Sequence, residues 1–317
     1  MKRITLEQHQ VWVYLTGLLT GITLGSLFPG TAALLETLIW PVLAVLLYAT
    51  FLQVPLLHVR QAFRDRRFVS AVLTGNFVLM PLVVWGLVQW LPDNAALRLG
   101  VLLVLLVPCT DWFISFTQLG GGDVPGAVAV TPLNLLFQLG LLPVYLWAMT
   151  DSQLTAVLTL ADVAPALLVV LLPLLAAVLS ERWIEARPGR DSVRDTLAWW
   201  PIPLLGLVIL LVAAVQVSTL YEALAWLPWV IPAYVAYLVI AALVARLQAR
   251  LWQLPASQGR TLAFSFGTRN SFVVLPFTLG LPNGWEIAAL VIVVQSLVEL
   301  FGMLAYLRWI PGRLFKS

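Results

Sequence analysis

The chain has 317 residues, 61% of them hydrophobic and 10% charged, with a net charge of +3 and a mean hydropathy of +0.95. Soluble domains run at about 45–50% apolar and about 25% charged residues, so the composition excludes a soluble enzyme or nucleic-acid module and implies an all-α integral membrane protein. The single cysteine, Cys109, excludes an internal disulfide and a thiolate-rich metal cluster, and no metal or cofactor is implied.

In chain order, Met1-Lys2-Arg3 ahead of an apolar run has the form of a signal peptide but lacks a small-residue cleavage site, and reads as a retained first span. Runs of the roughly 20 apolar residues that a crossing needs predict ten transmembrane helices. They cover 11–28, 32–54, 68–91, 97–118, 126–149, 163–183, 196–217, 223–245, 261–281 and 286–309. Fourteen Trp suit belts at the two membrane–water interfaces.

The cations test this count. With the N-terminus inside, the cytoplasmic segments hold Lys2 and Arg3; Arg60, Arg64, Arg66 and Arg67; Arg182, Arg187, Arg190 and Arg194; Arg246, Arg250 and Arg260; and Arg308, Arg313 and Lys316. Those are all but two of the 18 Lys and Arg. The others are Arg98, in an outer loop, and Arg269, inside a span. Positive charge gathers on the cytoplasmic side, so both termini are expected in the cytoplasm and the chain in the cell (inner) membrane. The loop from Arg60 to Arg67 is expected to touch anionic headgroups.

The charged stretch from Glu181 to Asp195 leaves five spans on each side. Five is odd, so the second half must be inverted relative to the first, the plan of many secondary transporters. The expectation is one membrane domain, 1–317, with a first repeat over about 11–149 and a second over about 163–309.

Two spans carry polar interruptions. The fourth reads VLLVPCTDWFI, and Pro108 lacks an amide hydrogen and clashes with the preceding turn, which predicts a break. The ninth reads AFSFGTRNSFVV, with Gly267-Thr268-Arg269-Asn270-Ser271 at its midpoint. Both are the fourth span of their half, and about half the chain separates Asp111 from Arg269, and Thr110 from Thr268. Discontinuous helices place half-helix ends and free carbonyls at the midplane, where substrates and ions bind.

Asp111, Arg269 and Glu299 are the charges placed deep in the bilayer, each at a cost of about 2.5–3.5 kcal/mol. Two readings are open: a binding site or proton relay, or an Asp111–Arg269 pair that holds two crossing helices together. Further polar residues lie inside apolar runs: Asn76; Thr131, Asn134 and Gln138; and Gln295 and Ser296. Asn134 and Gln138 share a helix face, as do Gln295 and Glu299.

At these residues the chain resembles the bile acid/sodium symporter superfamily, and within it the arsenite-permease branch. Pro108-Cys109-Thr110 is similar to the Pro-Cys-Thr of that branch's fourth span. Asn76, in NFVLMPL, and Asn134 match its third- and fifth-span asparagines, Asn270 matches one ninth-span asparagine, and Leu297-Val298-Glu299 with Met303-Leu304 looks like its tenth-span segment. The resemblance implies broken fourth and ninth helices that cross in a core domain beside a panel domain, and a cysteine tied to arsenite recognition. The chain departs from it at Val273, where arsenite permeases carry glutamate, and at Ser265 and Arg269, where sodium-coupled relatives carry glutamate and glutamine. Asp111 is also outside the usual motif. A guanidinium beside a sodium site disfavours sodium, so a proton is favoured as coupling ion.

Two transport functions follow. One is arsenite efflux, proton- or potential-driven, with Cys109 as the soft ligand and Glu299 or Asp111 carrying the proton. The other is transport of a small organic anion, with Arg269 holding its carboxylate. The substrate-binding set is Cys109, Thr110, Asp111, Arg269, Asn270, Ser271 and Glu299. The supporting set is Asn76, Thr131, Asn134, Gln138, Ser265, Thr268 and Gln295. An enzyme is disfavoured because His9 and His58, the two histidines, lie in flanks and leave an intramembrane hydrolase without a base. The expected partners are a small-molecule or metalloid substrate, the coupling ion and the lipid bilayer, with no nucleic acid.

Overall fold

The computed structural model describes residues 3–110, 112–150, 160–187, 189–217, 224–282 and 284–316. Three residues used above, Met1, Lys2 and Asp111, lie outside them. The helices are α1 (Arg3–Leu27), α2 (Ala32–Phe51), α3 (Val59–Ala62), α4 (Arg66–Thr74), α5 (Met80–Val88), α6 (Ala95–Leu106), α7 (Trp112–Leu119), α8 (Val124–Met149), α9 (Leu160–Glu185), α10 (Asp191–Leu197), α11 (Pro201–Val215), α12 (Leu227–Leu251), α13 (Ala256–Gly267), α14 (Ser271–Leu279) and α15 (Glu286–Trp309). Among the described residues the rest of the regular structure is short 3-10 and π turns and one isolated β-bridge.

Eight helical runs among the described residues are long and apolar enough to cross a membrane: His9–Leu27, Pro29–His58, Arg66–Val88, Val124–Met149, Leu167–Glu185, Asp191–Val215, Leu224–Leu251 and Glu286–Leu314. They make the chain a multi-pass membrane protein. The remaining predicted spans, 97–118 and 261–281, are each split in two, as α6 and α7 and as α13 and α14.

Local chemistry fixes several helix starts. Asp65, Asn94 and Asp123 each accept a backbone N–H three residues on, from Phe68 at 3.0 Å, Leu97 at 2.9 Å and Gly126 at 3.1 Å, and so cap α4, α6 and α8. Trp90, Trp147, Trp183 and Trp229 are exposed and stand at helix ends, where an interfacial belt requires them.

The helices pack in two sets. In one, α11 lies between α1 and α2, and α9 packs on α2. In the other, α15 packs against α6 and α12, α12 against α13, and α8 against α6 and α7. The sets meet where α14 touches α9 and α2. A stripe of glycines sets the tightest contact of the first set. Cβ atoms at Gly17, Gly21 and Gly25 would come within 2.5, 2.3 and 2.2 Å of the carbonyl oxygens of Gly206, Leu210 and Ala214. No side chain larger than hydrogen fits between α1 and α11, the small-residue contact used between membrane helices.

The loops to which the cations assign a common side meet one another. Gln258 donates to Asp65 at 2.8 Å and to Asp123 at 3.3 Å. Arg260 donates to the carbonyls of Gly121 and Phe315. His58 Nδ1 lies 3.5 Å from Glu185 and 3.9 Å from the buried Glu181, and the Arg194 guanidinium lies 3.7 Å from Glu181.

Candidate functional site at the crossing of two broken helices

The two breaks pair with each other. Cys109 N donates to Thr268 O at 3.2 Å and Asn270 N to Val107 O at 2.8 Å, forming a two-stranded antiparallel bridge centred on Pro108 and Arg269. This register puts Pro108 and Arg269 at a non-hydrogen-bonded position. The missing N–H of Pro108 therefore costs the bridge nothing. The N–H of Arg269 is left to point elsewhere, and it donates to Glu299 Oε2 at 2.8 Å. Backbone polar groups freed at membrane depth need partners inside the protein, and each break supplies them to the other.

From Arg269 the network spreads over four elements. Its guanidinium Nη2 donates to Phe266 O at 2.6 Å and to Asn76 Oδ1 at 3.2 Å, and the group lies 5.2 Å from the centre of the Tyr237 ring. Asn76 in turn donates to Ser265 Oγ at 2.9 Å, and the Tyr237 hydroxyl donates to Phe266 O at 2.9 Å. On the other side Gln295 donates to Glu299 Oε2 at 2.6 Å, Ser271 donates to Gln295 at 3.0 Å, and Ser296 donates to Ser271 at 2.9 Å. Asn270 caps α14 through Val273 N and donates to Thr110 Oγ1 at 3.1 Å, which joins the two breaks a second time.

Asn76 reaches this network through a defect in its helix. The chain from α4 to α5 passes through a π turn, Gly75–Leu79. Pro81 cannot return the hydrogen bond that the Phe77 carbonyl would receive in a regular helix. That carbonyl accepts the Tyr145 hydroxyl at 2.6 Å instead. Such turns often mark functional positions. Gly75 makes room for the ring of Phe266, since a Cβ there would sit 1.9 Å from Cζ.

Of the predicted residues, the crossing brings together Cys109, Thr110, Thr268, Arg269, Asn270, Ser271, Asn76, Ser265, Gln295 and Glu299, all buried. Thr131 turns back onto its own helix, donating to Ala127 O. Asn134 and Gln138 are buried on α8, and both the nitrogen and the oxygen of each side-chain amide lack a hydrogen-bond partner among the described residues. The same holds for Nε and Nη1 of Arg269. Unpaired polar atoms in a core cost roughly 1–3 kcal/mol each, so the core holds hydrogen-bonding capacity that the described side chains leave unused.

The sequence reading passed over several residues here. Tyr237 sits in an apolar run, and only its place across from Phe266 gives its hydroxyl a role. Trp112 and Phe272, which open α7 and α14, lie edge to face at 5.6 Å, and Tyr14 of α1 stacks on Trp112 at 5.7 Å. An aromatic group therefore links the first helix set to the N-terminal ends of both half-helices. The glycine stripe was a second unread feature, although its four-residue period stands in the sequence.

A mostly apolar helical bundle with two broken helices crossing at a buried polar centre defines a membrane transporter. The profile of the Sodium Bile acid symporter family matches residues 40–223, more than half of the chain, and the chain belongs to that family, as its motifs implied. The matched stretch includes the first break and ends before the second. Over 297 residues the chain is also 22% identical to the arsenical-resistance protein Acr3 of Corynebacterium glutamicum, an alignment covering 87% of this chain and 79% of that protein.

Proposed function

We propose that the protein is a secondary transporter of ten spans in two inverted repeats, about 11–149 and 163–309, and that it exports arsenite from a site at the crossing of the two breaks. The carrying observation is the backbone pairing of Cys109 with Thr268, which brings the residue that bears the chain's one thiol into the crossing of the two breaks. Sulfur favours soft trivalent arsenic, and a single thiol keeps binding reversible. The similarity to an arsenical-resistance protein supports the same reading. The meeting of the cation-rich loops on one face supports an even number of crossings between them, with that face and both termini in the cytoplasm of a cell whose inner membrane holds the chain. The two helix sets correspond to a panel and a core.

Glu299 carries the coupling proton in this reading, since it touches both the second break and Gln295. Arg269 disfavours sodium: its guanidinium already places a fixed cation against the Phe266 carbonyl, in the last turn of α13, and Asn76 Oδ1, where a second cation meets like charge. The test is resistance of an arsenite-sensitive host. Cys109→Ala is expected to abolish the resistance that the wild type confers, and undiminished resistance sinks the proposal.

A second reading has its own observation. Nε and Nη1 of buried Arg269, which have no hydrogen-bond partner among the described residues, are charged donors suited to a carboxylate. Transport of a small organic anion that is lost in Arg269→Gln and kept in Cys109→Ala would select this reading over arsenite.

A further inference from the structure

Away from the crossing, α12 ends in an arrangement that the transport mechanism does not use. Along this helix Val235, Val239, Leu243, Leu247 and Leu251 recur at four-residue steps and are all exposed, from 47% to 68%. One face of α12 is thus a continuous aliphatic ladder open to the acyl chains around it. Arg246 and Arg250, also four residues apart, stand beside the last two rungs. They line a cavity of about 320 Å³ whose other walls include Leu254, Leu314, Phe315 and Lys316.

The cavity is built rather than incidental. Arg260 donates through Nε and Nη2 to Phe315 O, at 3.1 and 2.9 Å, and holds the segment after α15 in place as one wall. Phe315 packs so closely on Gly259 that a Cβ there would meet its ring at 2.4 Å. Among the described residues no carboxylate lines the cavity, and Arg246, Arg250 and Lys316 make no salt bridge. Elsewhere on the same face basic groups are engaged: Arg194 with Glu181 and Glu185, Arg260 with two carbonyls, and Arg190 over the ring of Trp183.

Three cations that make no salt bridge among the described residues surround one cavity and attract a multivalent anion, and the ladder beside them fits a hydrocarbon chain. We propose that this cavity holds the phosphate of an anionic phospholipid, with Arg246, Arg250 and Lys316 on the headgroup and an acyl chain along Val235 to Leu251. Basic pockets at the ends of transmembrane helices are suited to such headgroups. A soluble phosphate would use the cations and leave the ladder without a role.

The test uses the purified full-length protein in detergent, titrated with phosphatidylglycerol, phosphatidylcholine or inorganic phosphate and read by native mass spectrometry and thermal unfolding. Phosphatidylglycerol is expected to bind at least tenfold more tightly than phosphatidylcholine and to raise the melting temperature. R246Q/R250Q should lose that preference, whereas R182Q/R187Q, which neutralises two exposed cations elsewhere, should keep it. Lys316→Gln should weaken it about threefold. If R246Q/R250Q melts below the wild type in phosphatidylcholine, the milder Arg250→Gln takes its place and should still cut the preference several-fold. Equal binding of the two lipids, or an unchanged preference in the Arg246 and Arg250 variants, overturns the proposal. So does protection by inorganic phosphate equal to that by phosphatidylglycerol, which would make this a site for a soluble anion.

Discussion

The two breaks meet at one bridge, yet they arise differently. The first, Val107 to Thr110, is written into its own sequence, because Pro108 denies the helix a donor and crowds the turn before it. The second, Thr268 to Asn270, contains no proline. Thr268 N and Oγ1 still reach back to Phe264 O, as a continuing helix would ask. Its extended course is held by groups from outside: Val107 O, Cys109 N and Glu299 Oε2. One break is thus a local property and the other a tertiary one, so substitutions far from residues 268–270 should damage the second break as much as substitutions within it.

Glu299→Ala gives the largest expected effect. It removes the acceptor for Arg269 N and Gln295 Nε2 and leaves these buried donors unsatisfied, at roughly 1–3 kcal/mol each. Transport should vanish, and thermal unfolding in detergent should report the destabilisation. Wild-type stability in this variant would mean that the second break holds itself.

Next comes Gly75→Ala. The new Cβ collides with Phe266, which is fully buried and carries the carbonyl that anchors Arg269. Overpacking of this kind costs about 1–3 kcal/mol, with a matching fall in transport rate. Gly86→Ala, in open space on the same span, should be silent in both assays.

Asn270→Ala is expected to cost about 1 kcal/mol, the usual value of a helix cap, because α14 loses the acceptor for Val273 N and the second link to Thr110 goes with it. A double-mutant cycle with Thr110→Val separates the two losses, since only the link couples the breaks.

The smallest effect lies outside the membrane. The Asp65 carboxyl is held below its ordinary value of 3.8, chiefly by the Phe68 N–H, against a smaller cost of burial and with help from Gln258. A lowered folded value means that its stabilisation is complete above the ordinary carboxylate range and fades as pH falls through the folded value. The stability gap between wild type and Asp65→Asn should therefore hold from pH 7 to about 5 and close below about pH 4. A gap that widens in acid would contradict the capping role.

What the sequence revealed follows the same division. Runs of apolar residues marked the spans, and Pro108 marked the first break, because both act through neighbours in the chain. The second break was visible only as a polar interruption, and nothing local to Thr268, Arg269 or Asn270 says that their backbone pairs with residues 107–109. The π turn at Asn76 was hidden for a related reason: Pro81 acts on the carbonyl of Phe77, whose new donor, Tyr145, lies 68 residues away. Asn134 and Gln138 were correctly read as buried and polar, but nothing local to them says that their amides find no partner among the described residues. The glycine stripe was legible as a four-residue period, and only the backbone of α11 gave it meaning.

The bridge also bears on biosynthesis. Thr110 and Asn270 are 160 residues apart, and a ribosome adding about 5–20 residues per second takes roughly ten to thirty seconds to cover that distance. For that interval Val107 O and Cys109 N have no bridge partner. The nascent first half must wait in the membrane with an unfinished helix, exposed to quality-control proteases. Production of this protein should therefore depend on how quickly its second half arrives.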